Sequence, residues 1–170
     1  MIQERIESLA MEITETYQGK PFTVVGVLTG CLVFLADLIR NIESPLRIAL
    51  IQASSYRGPA IRPGALHLQD ELLPDLRGRD ILLVDDILDS GRTLVALVQH
   101  MKQQGVASVR VAVLLRKFGR QSESVNPDFI GFTIPDAFVV GYGLDYNDEY
   151  RNLPFIGVLP NEAVNRDNGS

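Results

Sequence analysis

The sequence predicts an α/β fold, a mostly parallel twisted sheet flanked by helices. Three observations predict it. Apolar runs of strand length alternate with helix-patterned segments through the first two thirds of the chain, the order from which covered parallel sheets are built. One of these runs, ILLVDDILDSGRT from Ile81 to Thr93, starts as a buried strand and passes through two carboxylates into a small-residue turn. Polar turns also follow the other strands, at Thr29-Gly30, Ser54-Ser55 and Lys117. In such a sheet they converge on one rim, where ligands bind outside the carboxyl ends of the strands.

In chain order, Ile2, Ile6, Leu9 and Ile13 recur at helical spacing with acids between them, and predict an amphipathic helix ending near Gln18 and Gly19. Phe22 to Leu28 is a β-branched apolar run and reads as a buried strand. Thr29-Gly30 makes a turn, Cys31 to Ile42 a helix that Pro45 closes, and Leu46 to Ala53 the next strand. Ser54 to Gly64 holds two glycines and two prolines, which deny it a regular element, so a mobile surface loop is expected. Ala65 to Leu68 is expected to be a short strand, and Arg79 to Val84 a central one. A helix follows from about Arg92 to Gln104, with Gly105 as its stop. Ser108 to Leu115 is another strand. Phe129 to Phe132 and Phe138 to Val140 flank the bend at Ile134-Pro135-Asp136, and Pro154 to Leu159 is the last strand. Gly141-Tyr142-Gly143 has no helix pattern after it and reads as a turn. Without repeats or a linker, residues 1–160 read as one domain, and residues 161–170 as a polar, fraying tail.

Composition narrows the class. The chain has 170 residues, 46% of them hydrophobic and 22% charged, enough for one domain with a substantial core. The net charge of -5 argues against a broad nucleic-acid footprint, although Arg110, Arg116, Lys117 and Arg120 form a local basic cluster in the sequence. The apolar stretches are too short for a transmembrane helix, and the charged start MIQERIESLA does not read as a signal peptide. A single cysteine, Cys31, excludes an internal disulfide framework and fits a reducing cytoplasm; it reads as a packing residue. His67 and His100 have no partners at metal-ligand spacing.

The chemistry concentrates in the run from Asp85 to Thr93. A loop that feeds a helix N-terminus presents unpaired N–H groups and the positive end of the helix dipole. Gly91 lets an anion approach the backbone, and Ser90 and Thr93 add hydroxyl donors. A phosphate suits this turn. Neither GxxxxGK[ST] nor a GxGxxG after a strand occurs, which excludes the common nucleotide loops. Asp85 and Asp86 are acceptors. They suit two ribose hydroxyls, or a divalent metal bound through those hydroxyls and a pyrophosphate, or they are simply a solvated acidic strand end.

VDDILDSGRT resembles the phosphoribosyl-pyrophosphate signature of the type I phosphoribosyltransferases. VGVLTGCLVFLADLIR, Ser54 to Tyr56 and the long segment PDFIGFTIPDAFVVGYGLDYNDEYRNLPFIGVL are similar to the hypoxanthine-guanine branch of that family, over roughly Glu4 to Leu159. The resemblance implies the type I fold, with a small hood formed by the N- and C-terminal segments. It implies transfer of the 5-phosphoribosyl group from phosphoribosyl pyrophosphate to hypoxanthine or guanine with Mg2+, in the cytoplasm, by a homodimer or homotetramer. By the same resemblance Asp85 and Asp86 hold the ribose hydroxyls, Asp89, Ser90, Gly91, Arg92 and Thr93 hold the 5′-phosphate, and Asp89 is the acid/base residue. Thr29, Gly30 and Arg151 face pyrophosphate. Lys117, Phe138, Val139 and Asp145 face the purine, with Lys117 donating to its exocyclic oxygen and so rejecting adenine. Asp145, and Asp85 through hydroxyls or water, serve the metal, and Ser55 and Tyr56 close over the centre. The family commonly has lysine where Thr29 stands, so a cation is missing there. A non-proline cis bond at Thr29-Gly30 is also implied.

Two other readings compete. One is an RNA-binding regulator of nucleotide synthesis on the same fold, whose signature run is similar. Against it stand Asp89, the base-binding segment from Lys117 to Val139 and the net charge. The other is a receiver domain, which also has a strand ending in two acids but no DSGRT turn.

Overall fold

The computed structural model describes residues 1–55, 66–120 and 125–160. Its elements are α1 (Ile2–Tyr17), β1 (Phe22–Leu28), α2 (Leu32–Asn41), β2 (Leu46–Ser55), β3 (Leu66–Gln69), β4 (Asp80–Leu88), α3 (Arg92–Gln103), β5 (Ser108–Lys117), β6 (Phe129–Ile134), β7 (Val139–Val140) and β8 (Gly157–Val158). The helical spacing of Ile6, Leu9 and Ile13 does what it predicts: all three are fully buried along one side of α1. The helix ends at Gln18, which is left-handed and donates its N–H to Thr14 O at 3.0 Å.

Six strands form one sheet in the order β3-β2-β1-β4-β5-β6. All neighbours are parallel except β3, which runs antiparallel along β2 at the edge. Because side chains alternate across a strand, the central strands feed two cores. Val24, Leu82, Val84, Ala112 and Leu114 face α1 and α2. Val25, Val27, Ile81, Leu83, Val111 and Val113 face α3. The chain therefore winds both ways from the β1–β4 pair, and the crevice beyond the carboxyl ends of those two strands is the topological switch point where ligands bind.

Several boundaries differ from expectation. β4 continues past Val84 to Leu88, and β5 past Leu115 to Lys117, because the ladder pairs Asp85 with Val113, Ile87 with Leu115 and Leu88 with Arg116. β6 likewise reaches Ile134, opposite Lys117. The last strand is only Gly157–Val158, paired with β7 in a separate two-stranded sheet. Pro154 has no N–H to give a ladder, and Leu153 uses its carbonyl on Tyr142 N–H at 2.9 Å instead. Ser54 and Ser55 belong to β2, whereas Tyr56 and the rest of the expected loop to Gly64, like the tail 161–170, lie outside the described residues.

Candidate active site

A cleft of about 260 Å³ opens at the switch point, lined by Leu28 at the end of β1 and Gly30 beyond it, by Asp85, Asp86 and Asp89 on β4 and its loop, and by Ser90, Gly91 and Thr93 at the start of α3. A larger cleft of about 470 Å³, bordered by Pro45, Arg47, Gly78 and Arg79, lies at the opposite, amino-terminal edge of the sheet and holds none of the predicted residues. Chemistry decides between them: the smaller cleft has the carboxylates and the helix start.

Gly91 is the N-cap of α3 in a left-handed conformation, and no side chain caps the helix. Arg92 N–H reaches Ser90 Oγ only at a long 3.4 Å. The first turn thus keeps donors for an anion. Beside it, Asp85 is 8% exposed and accepts the N–H of Asp86 at 2.9 Å, and Asp86 accepts that of Ile87 at 2.8 Å. Burial, reinforced by the charge of Asp86, pushes the Asp85 carboxyl well above the ordinary carboxylate range. Burial raises Asp86 as well, against its own hydrogen bonds and the charge of Arg151. Two carboxylates held dry side by side cost stability and gain from hydroxyl or cation partners.

The Thr29-Gly30 turn is built around a close approach. A Cβ on Gly30 would sit 1.8 Å from Asp86 Oδ2, and one on Gly143 would sit 2.3 Å from Gly30 O. At Gly143, where the clash is with backbone and φ is 99°, only glycine fits; at Gly30 the Asp86 carboxylate would have to turn away. The turn of Gly141 to Leu144 therefore lies directly on the Thr29-Gly30 turn. Tyr142, within it, donates its hydroxyl to Asp37 on α2. Thr29 is exposed. The cis peptide is Leu28-Thr29, one bond earlier than the sequence resemblance implied.

Lys117 ends β5 and is nearly buried, with its ammonium 3.3 Å from Asp89 Oδ2 and 3.4 Å from Asp136 Oδ1. Arg120 lies 3.0 Å from Asp89 Oδ1. Partial burial opposes the charge on Asp89, but the hydrogen bonds and charges of Arg120 and Lys117 outweigh it and hold the carboxyl below the ordinary range. Phe138 follows Asp136 by two residues, is 36% exposed and meets Tyr146 edge to face, with Val139 buried behind it. Asp145 and Arg151 form an ion pair at 3.0 Å, and Arg151 also donates to Gly143 O at 2.8 Å.

Lys117 thus meets the Asp85 to Thr93 loop through Asp89, while Gly30 meets it through Asp86. Arg120 and Asp136 join this group through Asp89 and Lys117, although a basic cluster and a proline bend in the sequence do not mark them for it. The cluster itself divides in space: Arg110 stacks over Tyr17 at 5.3 Å, Arg116 bonds Thr133, and Lys117 and Arg120 face carboxylates.

The phosphoribosyl transferase domain family matches residues 1–147. The hypoxanthine-guanine phosphoribosyltransferase of Bacillus subtilis is 42% identical over 158 residues, which cover 93% of this chain and 88% of that protein. The bifunctional TilS/HprT protein of Listeria innocua is 41% identical over 95% of this chain, which spans 25% of its length. A crystal structure of a Bacillus anthracis hypoxanthine-guanine phosphoribosyltransferase superposes with a TM-score of 0.87 at 37% identity, covering 94% of both chains.

Proposed function

The chain belongs to the phosphoribosyl transferase family, and from that premise we propose that it is a purine salvage enzyme. It transfers the 5-phosphoribosyl group of phosphoribosyl pyrophosphate to hypoxanthine or guanine, giving IMP or GMP and pyrophosphate. The observation that carries this reading is the contact of Lys117 with Asp89 at 3.3 Å on the rim of the cleft. It puts a donor for a 6-oxo group and a proton acceptor side by side, next to a turn suited to a sugar phosphate.

In this reading the 5′-phosphate takes the N–H groups at the start of α3 with Ser90 and Thr93, and the ribose hydroxyls donate to Asp85 and Asp86. The purine lies against Phe138 with its exocyclic oxygen on Lys117. An imidazole nitrogen bonds to the anomeric carbon as the bond to pyrophosphate breaks, and Asp89 takes or relays the proton. Charge builds on the sugar as in glycosyl transfer generally. Pyrophosphate is received by the backbone of Thr29-Gly30 and by Arg151. Adenine would meet Lys117 donor to donor.

Among the described residues no group of three or more His, Cys, Asp or Glu converges as a ready-made metal cage. The donors near the cleft are hard carboxylate oxygens, few in number. That suits magnesium, which keeps waters and takes phosphate oxygens. Asp145, and Asp85 through hydroxyls or water, would hold it, and a bound magnesium supplies charge neutralisation on the leaving pyrophosphate. The cytoplasm is the expected compartment, and a dimer or tetramer the expected assembly. No described helix is long and apolar enough to cross a membrane.

The test is direct. Protein incubated with phosphoribosyl pyrophosphate, magnesium and hypoxanthine should yield IMP, guanine should yield GMP, and adenine should yield no AMP. An RNA-binding regulator would make none of these, and that result would overturn the reading.

A further inference from the structure

The rim of the base pocket holds a closed ring of alternating charge. Asp89 meets Lys117 at 3.3 Å, Lys117 meets Asp136 at 3.4 Å, Asp136 meets Arg120 at 3.5 Å, and Arg120 returns to Asp89 at 3.0 Å. The four come from three separate places: the loop after β4, the end of β5 with the turn beyond it, and the bend after β6. Each cation touches both carboxylates, and each carboxylate uses one oxygen per cation. Only the Lys117 side chain is nearly buried, at 10% exposure, while those of Asp89, Arg120 and Asp136 are 39%, 52% and 50% exposed.

Without the other two members, Lys117 and Asp89 would neutralise each other. A base entering the site would have to break that pair in a half-dry place, which is costly. The ring removes that difficulty. When Lys117 turns to a purine oxygen it keeps Asp136, and when Asp89 turns to an imidazole N–H it keeps Arg120.

We infer that Arg120 and Asp136 are positioning residues of the transfer reaction, holding Asp89 as a ready proton acceptor and Lys117 as a ready donor to the base. The inference rests on the salvage reading and extends it to two residues beyond the substrate contacts. Among the described residues, the charged groups facing Asp89 are Lys117 from β5 and Arg120 from the turn after it, with Asp136 behind both. Loss of the Arg120 cation removes a partner that favours the ionised carboxylate. Asp89 then needs a higher pH to lose its proton.

The experiment is a pH profile of kcat/KM for hypoxanthine at saturating phosphoribosyl pyrophosphate and magnesium. The wild type is compared with Arg120→Gln, Arg120→Lys and Asp136→Asn. Arg120→Gln should shift the acid limb up by about one unit and lower kcat/KM by about tenfold, the scale of one lost hydrogen bond to a charged group. Arg120→Lys should restore most of both. Asp136→Asn should raise KM for hypoxanthine more than it lowers kcat, because it loosens the donor to the base. A double variant should lose less than the product of the single losses. Carbon-13 titration of the Asp89 carboxyl in ligand-free protein gives a second readout, in which Arg120→Gln should raise the midpoint. A wild type that makes no IMP would overturn the salvage reading, and the titration would still decide the ring. An unmoved Asp89 midpoint in Arg120→Gln, or an unmoved acid limb in an active variant, overturns the inference.

Discussion

Asp85, proposed to hold a ribose hydroxyl, shows how such a role trades against stability. It is buried beside a second carboxylate, and burial first, then the charge of Asp86, raises its carboxyl. An acid whose folded pKa is raised binds more protons folded than unfolded, so stability falls as pH rises through that window. Asp85→Asn removes the charge and keeps the shape. It should raise Tm by about 2–4 °C at pH 7, the equivalent of about 1 kcal/mol in a chain of this size, and the gain should shrink as the pH nears 4. The same variant should lose most nucleotide formation, and thermal melts across pH with an IMP assay check both. Cys31 gives a second prediction. It is fully buried, and burial, with the charges of Asp85 and Asp86 adding, pushes its thiol up. It should resist a thiol reagent in the folded protein and react fully in guanidinium. The Asp85 to Thr93 run was legible because its chemistry is local, a strand end, a turn and a helix start within a few residues. Arg120 and Asp136 were not legible, because their meaning lies in pairing with Asp89, 31 positions before Arg120, and with Lys117 across the β5–β6 edge.

Elements position the site by close approach. The turn of Gly141 to Leu144 sits on the Thr29-Gly30 turn, with Gly143 at φ 99° and a Cβ there 2.3 Å from Gly30 O. Tyr142 ties this turn to Asp37 of α2, and Arg151 ties it to the segment that carries Asp145. Gly143→Ala should therefore push the two turns apart. It should weaken phosphoribosyl pyrophosphate and pyrophosphate binding by about tenfold, with a smaller change in KM for hypoxanthine, and lower stability by about 1–3 kcal/mol. Steady-state kinetics in both directions, with denaturant melts, would show it. Equal weakening of all substrates would mean the turn acts only on the fold. The strands were readable as apolar runs of the right length. Their ends were not, since β4 and β5 stop where the neighbour's register stops, at Leu88 and Lys117, and not where apolarity fades. The β7–β8 pair was obscured for a similar reason: two residues pair on each side, too few for a periodic signal.

At the scale of the molecule, two apolar layers on opposite faces of one sheet leave the β1–β4 rim as the place where loops from both layers meet. The Thr29-Gly30 turn leads into α2 on one face, and Ser90 to Thr93 lead into α3 on the other. A ligand spanning both turns can bind only the folded chain, so it stabilises the whole domain by mass action. Magnesium with phosphoribosyl pyrophosphate at about a hundred times Kd should add about 2.7 kcal/mol, or roughly 5–10 °C in Tm. Hypoxanthine alone, on the proposed reading confined to the Lys117 and Phe138 side of the rim, should move Tm by much less. Asp89→Asn separates holding from reacting. Its backbone N–H and the helix start remain, so most of the sugar-phosphate shift should persist. The proposed proton acceptor is gone, so IMP formation should fall by about a hundredfold or more. Melts with each ligand, beside turnover of the same preparation, make the comparison. A variant that loses shift and turnover together would mean that Asp89 grips the sugar phosphate instead of taking the proton.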